Sequence, residues 1–217
     1  MKKMMMMTIL LVFLFGCAGL RFPVRPALKE DITVPAGKIE GNQFTGIRYS
    51  FKVSVPPHWK ITTEFPDLLE ELGYDRPFST DPEQTELYAL NPETKTNITF
   101  DLSPTGRYTR FNQGKIEWAT SVAAESMVAE LDKEFGKGVV KPDFFPTEPY
   151  SLKGVQFAAK KYATYKARGE KWEQGWIYGF AEPYQIFIIY LIKESGDAND
   201  RQDMKKIIDS FEFIKKK

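Results

Sequence analysis

Two hydrophobic periods take turns along the chain, and their order sets the architecture to expect. From Gly46, "IRYSFKVSV" puts Tyr49, Phe51, Val53 and Val55 on one side and polar residues on the other, the period of a half-buried strand. Consecutive prolines in "PPHW" remove two ladder donors and stop it. After a long irregular stretch, "ELYALN" and "TNITFDLS" are predicted to be strands joined by a turn around Asn91-Pro92-Glu93. The period then changes. Ile116, Ala119, Val122, Ala123, Met127, Leu131 and Phe135 recur at steps of three and four, which predicts a long amphipathic helix closed by Gly136.

A Pro-rich loop, "KPDFFPTEPY", precedes three more predicted strands. "LKGVQFAAKKYATYK" and "KWEQGWIYGF" flank a turn at Arg168-Gly169-Glu170, and the second carries Trp172, Trp176, Tyr178 and Phe180 on one face. Aromatics at period two are read as core. "YQIFIIYLIK" is apolar on both faces, as a central strand covered on two sides should be, so Ile186 to Tyr190 are expected to be inaccessible. A closing helix places Met204, Ile207, Ile208 and Phe211 on one face. Strands joined by short turns pair antiparallel, and their unpaired faces need cover. The expected fold is therefore α+β: a single antiparallel sheet of about six strands covered by helices, in one domain over residues 46–217.

The N-terminus has the three parts of an export signal: Lys2 and Lys3, an apolar run from Met4 to Phe15, then small residues. That run is too short for a permanent membrane span. The stretch Leu14-Phe15-Gly16-Cys17 resembles the lipobox of bacterial lipoproteins, and Cys17 is the single cysteine of the 217 residues. The resemblance implies removal of residues 1–16 and lipidation of Cys17, which also disposes of a reactive thiol in an exported chain. Ala18 rather than Asp after the cysteine implies sorting to the outer membrane, facing the periplasm, in a Gram-negative envelope. Residues 17–45, interrupted by Pro23, Pro26, Pro35 and Gly37, are expected to form a tether. Loss of Lys2 and Lys3 takes the formal net charge from +1 to −1, which gives no global bias toward nucleic acid.

The ordered features resemble the PsbP/Mog1-like fold, an α/β/α sandwich, and within it the bacterial DcrB-type lipoproteins. "YSFKVSVPPHW", "LKGVQFAAKKY" and "MKKIIDSFEF" carry the resemblance, which covers about Gly46 to Phe213. Members of this fold are mostly binding and assembly proteins, among them an accessory subunit of photosystem II and a small-GTPase-binding protein. The resemblance thus implies a binding or accessory module, with no catalytic motif to carry over.

The chemistry in the residues themselves is sparse. His58 is the only histidine, so neither a nucleophile–base pair nor a multi-ligand zinc site can be assembled around it, and a turn or rim role is expected. Glu64, Asp67, Glu70, Glu71, Asp75, Asp81, Glu83 and Glu86 stand against Arg76 alone, a balance of −7 over residues 64–86. That spacing fits no calcium loop. A solvated face is the ordinary meaning of such a run, and a docking surface for a basic partner, centred on Asp67, Glu70, Glu71 and Asp75, is the functional one. The expectation is a membrane-anchored, non-enzymatic envelope lipoprotein with an unidentified protein partner and neither cofactor nor metal. Two alternatives stay open: a metal-dependent or hydrolytic enzyme using the acidic loop and His58, and a carrier of small hydrophobic ligands.

Overall fold

The computed structural model describes residues 33–74, 76, 85–105, 110–194 and 199–214. Cys17 and the signal lie outside the described residues, as does Asp75. A small sheet opens the chain: β1 (Gly37–Glu40), β2 (Gln43–Gly46) and β3 (Phe51–Ser54). The folded region therefore begins before the Gly46 start expected for it. Gly41, with φ of +58°, supplies the positive backbone angle of the two-residue turn between β1 and β2, and Phe44 of β2 is completely buried. Pro35 and Gly37, two of the residues that suggest a tether, stand at the start of a hairpin instead, while Pro23 and Pro26 lie outside the described residues.

The large sheet comprises β4 (Lys60–Thr62), β5 (Thr85–Leu90), β6 (Asn97–Pro104), β7 (Asp143–Phe144), β9 (Phe157–Ala167), β10 (Glu170–Ala181) and β11 (Tyr184–Lys193), with the short β8 (Glu148–Pro149) also on β9. Strand order is β4-β5-β6-β11-β10-β9-β7, and every pairing is antiparallel. The class is α+β as expected, but the sheet has eight strands rather than about six, and a second sheet of four joins it. The additional strands are too short to show a period. A two-residue turn at Arg168 and Gly169, both at positive φ, joins β9 to β10.

Helix α1 (Asp67–Glu71) is a single turn whose Leu69 is buried. Helix α2 (Gln113–Phe135) begins where the Asn112 side chain accepts the Lys115 amide at 2.9 Å, and ends at Gly136. Helix α3 (Asn199–Ser210) leads into β12 (Glu212–Phe213), which pairs with β3 and so ties the C-terminus to the first sheet. Asp200 is buried and accepts hydrogen bonds from Asn91 (3.1 Å) and Thr96 (2.7 Å), locking α3 to the β5–β6 turn.

The two faces of the large sheet are covered unequally. On one, Ile98, Phe100, Leu102, Ile186 and Ile188 meet α3 and the small sheet in the main core. Phe51, Phe100 and Phe211 stack there at 5.6–6.3 Å between ring centroids, one ring from each layer. On the other face α2 lies over β9 and β10, where Met127 and Leu131 pack on Trp172 and Trp176. The Trp176 indole N–H donates to the Thr120 carbonyl at 2.7 Å, so the aromatic stripe of β10 is core on that face.

Candidate functional site

Strand β11 occupies the centre of the large sheet, yet only one of its faces is sealed. Ile186, Ile188 and Tyr190 are buried as expected, whereas Phe187 and Ile189 are half-buried. The cause is the course of α2, which follows β9 and β10 and leaves the helix-side face of β11 and β6 open along its flank. The apolar arc of α2 is correspondingly wider than the sheet it covers: Ile116, Met127 and Leu131 are buried, but Val122 and Trp118 are exposed.

Two cavities follow one another along this seam. The first, about 530 Å³, lies between Trp118, Ala119, Val122 and Ala123 of α2 and Phe187 of β11. Its floor is polar. The Tyr178 hydroxyl donates to Gln185 Oε1 at 2.6 Å, and Gln185 Nε2 donates to Ser103 Oγ at 2.7 Å, with Thr85 and Asp101 beside them. The second, about 520 Å³, continues under Met127 and Leu131 along Ile189 and Leu191, against Trp172. Both volumes fall in the ~300–1,000 Å³ range of small-ligand sites.

Titratable groups gather at the second cavity. Tyr165 donates to Gln174 Oε1 at 3.2 Å, and burial pushes its phenol up, helped by Tyr74, Glu134 and Glu130. The Tyr74 phenol is pushed up, first by desolvation against the cavity wall and then by the Glu130 and Glu134 carboxylates, although 37% of the residue stays exposed and solvent tempers the shift. Burial also raises the Glu130 carboxyl, with Lys133 opposing the shift. Arg168 closes the rim, 2.7 Å from Glu134 and 5.5 Å from the centroid of the Phe135 ring.

The residues singled out from the sequence sit elsewhere. Asp67 and Glu70 lie on α1 and share Arg76, at 3.0 and 3.1 Å. Glu71 approaches Lys95 at 3.9 Å. These three are exposed, as a charged docking face requires, but they belong to a helix whose Leu69 and Leu72 are turned inward. That helix delivers Tyr74 to the second cavity. Glu86, counted with the solvated acids, is fully buried and paired with Arg48 at 2.7 Å. A register shift in β5 between Thr85 and Leu87 is what turns it inward. His58 is half-exposed in the turn after β3, and its Nε2 lies 2.9 Å from Asp203 of α3 rather than beside the acidic stretch. Among the described residues, no group of three or more His, Cys, Asp and Glu side chains is placed to hold a metal ion. Phe144 and Phe145 of the Pro-rich loop rest on Trp176 and Tyr162, at 6.4 and 4.2 Å between centroids.

The groove was not legible as a site in the sequence. Its signal is the position of Trp118 and Val122, four residues apart and off the buried stripe, combined with an apolar strand that has a face to spare.

No family model matches the chain, and no curated protein sequence matches it. Among solved structures, it is similar to LpqN, involved in cell envelope biogenesis of Mycobacterium tuberculosis, with 11% identity, a TM-score of 0.49, and coverage of 76% of this chain and 84% of that one. A protein from Bacteroides thetaiotaomicron VPI-5482 aligns at 9% identity and a TM-score of 0.48, over 82% of this chain and half of that one. Cyanobacterial PsbP (CyanoP) from Synechocystis sp. PCC 6803 aligns at 8% identity and a TM-score of 0.51, over 83% of this chain and all of that one. Agreement over the whole of a PsbP chain, together with an antiparallel sheet between helical layers, shows that this chain has the PsbP-like fold.

Proposed function

We propose that the chain is a bacterial envelope lipoprotein of the DcrB type, anchored through an acylated Cys17 at the outer membrane, and that its PsbP-like domain is a non-enzymatic binding or assembly module. The observation that supports this reading best is the half-open apolar face of β11 beside α2, where Phe187 and Ile189 keep partial exposure in the middle of the sheet. A protein that needed only stability would cover that face, since each buried side chain of this size contributes about 1.5–3 kcal/mol. Leaving it open beside an exposed tryptophan is the arrangement of a surface that receives something. Among the described residues no helix is long and apolar enough to cross a membrane, so attachment in this reading falls to the lipid. The exposed acidic side chains Asp67, Glu70 and Glu71, on the helix that leads to Tyr74, would speed the approach of a basic partner rather than hold it.

The test has two parts. Cys17→Ser moves the protein from the membrane to the soluble fraction if the anchor is the lipid; retention in the membrane at the wild-type level refutes it. A photocrosslinking side chain at Val122 captures the partner or ligand in intact envelopes, whereas one at Lys52 on the small sheet does not. Equal capture from both positions removes the groove from consideration.

A further inference from the structure

The first cavity is mainly apolar, and three aromatic side chains, Trp118, Tyr178 and Phe187, line it together with Val122. Trp118 is 68% exposed while Trp59, Trp172 and Trp176 are buried, and among the described residues its indole N–H has no hydrogen-bond partner. Gln185 adds a second donor, because Ser103 takes only one of its two amide hydrogens. Aromatic grooves with a few N–H donors suit polyproline II segments, whose backbone carbonyls have no internal partners.

The chain carries a segment of that chemistry. Residues 20–28 read "LRFPVRPAL" and lie outside the described residues. Proline fixes the backbone angle that polyproline II needs, and at about three residues per turn Pro23 and Pro26 would share one edge of such a helix, with Phe22, Val24 and Leu28 as apolar neighbours. The described chain starts close to the cavity. The Val34 carbonyl accepts from Arg48 at 3.0 Å, Arg48 pairs with Glu86 at 2.7 Å, and Thr85, next to Glu86 in the sequence, stands in the cavity wall. Counted back from Thr33, the two prolines are within a reach of roughly 20–30 Å at about 3.1 Å per residue. Charge agrees: Arg21, Arg25 and Lys29 are the charged residues between Ala18 and Lys29, whereas α2 carries five carboxylates and two lysines. We infer that residues 20–28 dock across the first cavity of their own chain, with Pro23 and Pro26 against Trp118. Because the segment is tethered, its local concentration is on the order of millimolar, so a contact with a Kd of only ~100 µM is closed about nine-tenths of the time. The tether is then an internal competitor that an outside partner displaces. This rests on the reading of the α2–β11 seam as the binding surface and names what regulates it.

The full chain carrying Cys17→Ser, purified without lipid, is given a photocrosslinking side chain at Val24, and its crosslinks are mapped by mass spectrometry. They are expected within one molecule, to residues 118–122 of α2 or 185–187 of β11. Acrylamide quenching reads the same contact, since Trp118 is the exposed indole among three buried ones. Pro23→Ser/Pro26→Ser should raise the quenching constant at least about twofold with circular dichroism unchanged, and Trp118→Phe should abolish that rise. In intact envelopes the same double substitution should raise capture of an outside partner from Val122 by up to about tenfold, as loss of a competitor that is mostly bound requires. Crosslinks scattered over the domain or joining two copies, equal quenching in parent and double variant, or unchanged capture each overturns the inference. Capture of a partner at Val122 with no crosslink from Val24 to the seam refutes the tether and keeps the seam. Failure of both discards the seam as well.

Discussion

Glu86 belongs by sequence to a run of solvated acids and by structure to the interior, and the difference is measurable. Its carboxylate is fully buried and lies 2.7 Å from a guanidinium nitrogen of Arg48, whose side chain is only 9% exposed. Arg48 is held in place by a second bond, from Nε to the Val34 carbonyl at 3.0 Å, so it cannot simply swing into water. Glu86→Gln removes the charge at nearly constant volume and takes this carboxylate away from a guanidinium that is almost wholly buried. Breaking one half of a buried pair costs about 3–5 kcal/mol. For a chain of this size that corresponds to a fall in melting temperature of roughly 6–20 °C. Glu70→Gln, made in the same acidic stretch, is the control: Glu70 is 58% exposed and its bond to Arg76 is worth at most about 1 kcal/mol. Urea unfolding followed by far-ultraviolet circular dichroism measures both. The double variant Arg48→Leu/Glu86→Leu should be less destabilised than the sum of its single changes, because it removes both charges together. A Glu86→Gln protein within 0.5 kcal/mol of wild type, alongside an equally stable Glu70→Gln, refutes the assignment of Glu86 to the interior.

Two further perturbations probe the sheet and the second cavity. A Cβ added at Gly175 would come within 2.2–2.5 Å of the Tyr190 ring, which is buried and anchored to Glu173 by its hydroxyl, so Gly175→Ala should lower stability by about 1–3 kcal/mol in the same urea assay; an unchanged midpoint would mean that the ring has room to move. Because the Tyr74 phenol is raised above its ordinary value near 10, the folded state binds more protons just above pH 10 and stability falls as pH rises there, by an amount that the residue's 37% exposure keeps small. Tyr74→Phe should flatten this part of the stability–pH curve, and an identical slope in the variant would show that the phenol is not held by the cavity.

What the amino-acid order determines here is whatever is written in a repeating pattern. The alternation in β3 and β10, the continuous apolar run of β11, the steps of three and four in α2 and the glycine that ends it appear as read, because local sterics and burial act over neighbouring residues. The antiparallel α+β class follows from those elements and their short turns. Tertiary structure decided the rest. Strands β1, β2, β4, β7, β8 and β12 have two to four residues each and exist because a neighbouring edge offers them hydrogen bonds, which no local pattern records. Glu86 left the acidic surface through one irregular step in β5, and Asp200, in the first turn of α3, turns its carboxylate onto the β5–β6 turn; each found its partner far away along the chain. The groove has the same origin. The sequence of β11 asks for cover on both faces, but how much it receives depends on which strands α2 crosses. That crossing over β9 and β10 is set by how Met127, Leu131 and Trp176 pack together, and it leaves Trp118, Phe187 and Ile189 at an open seam.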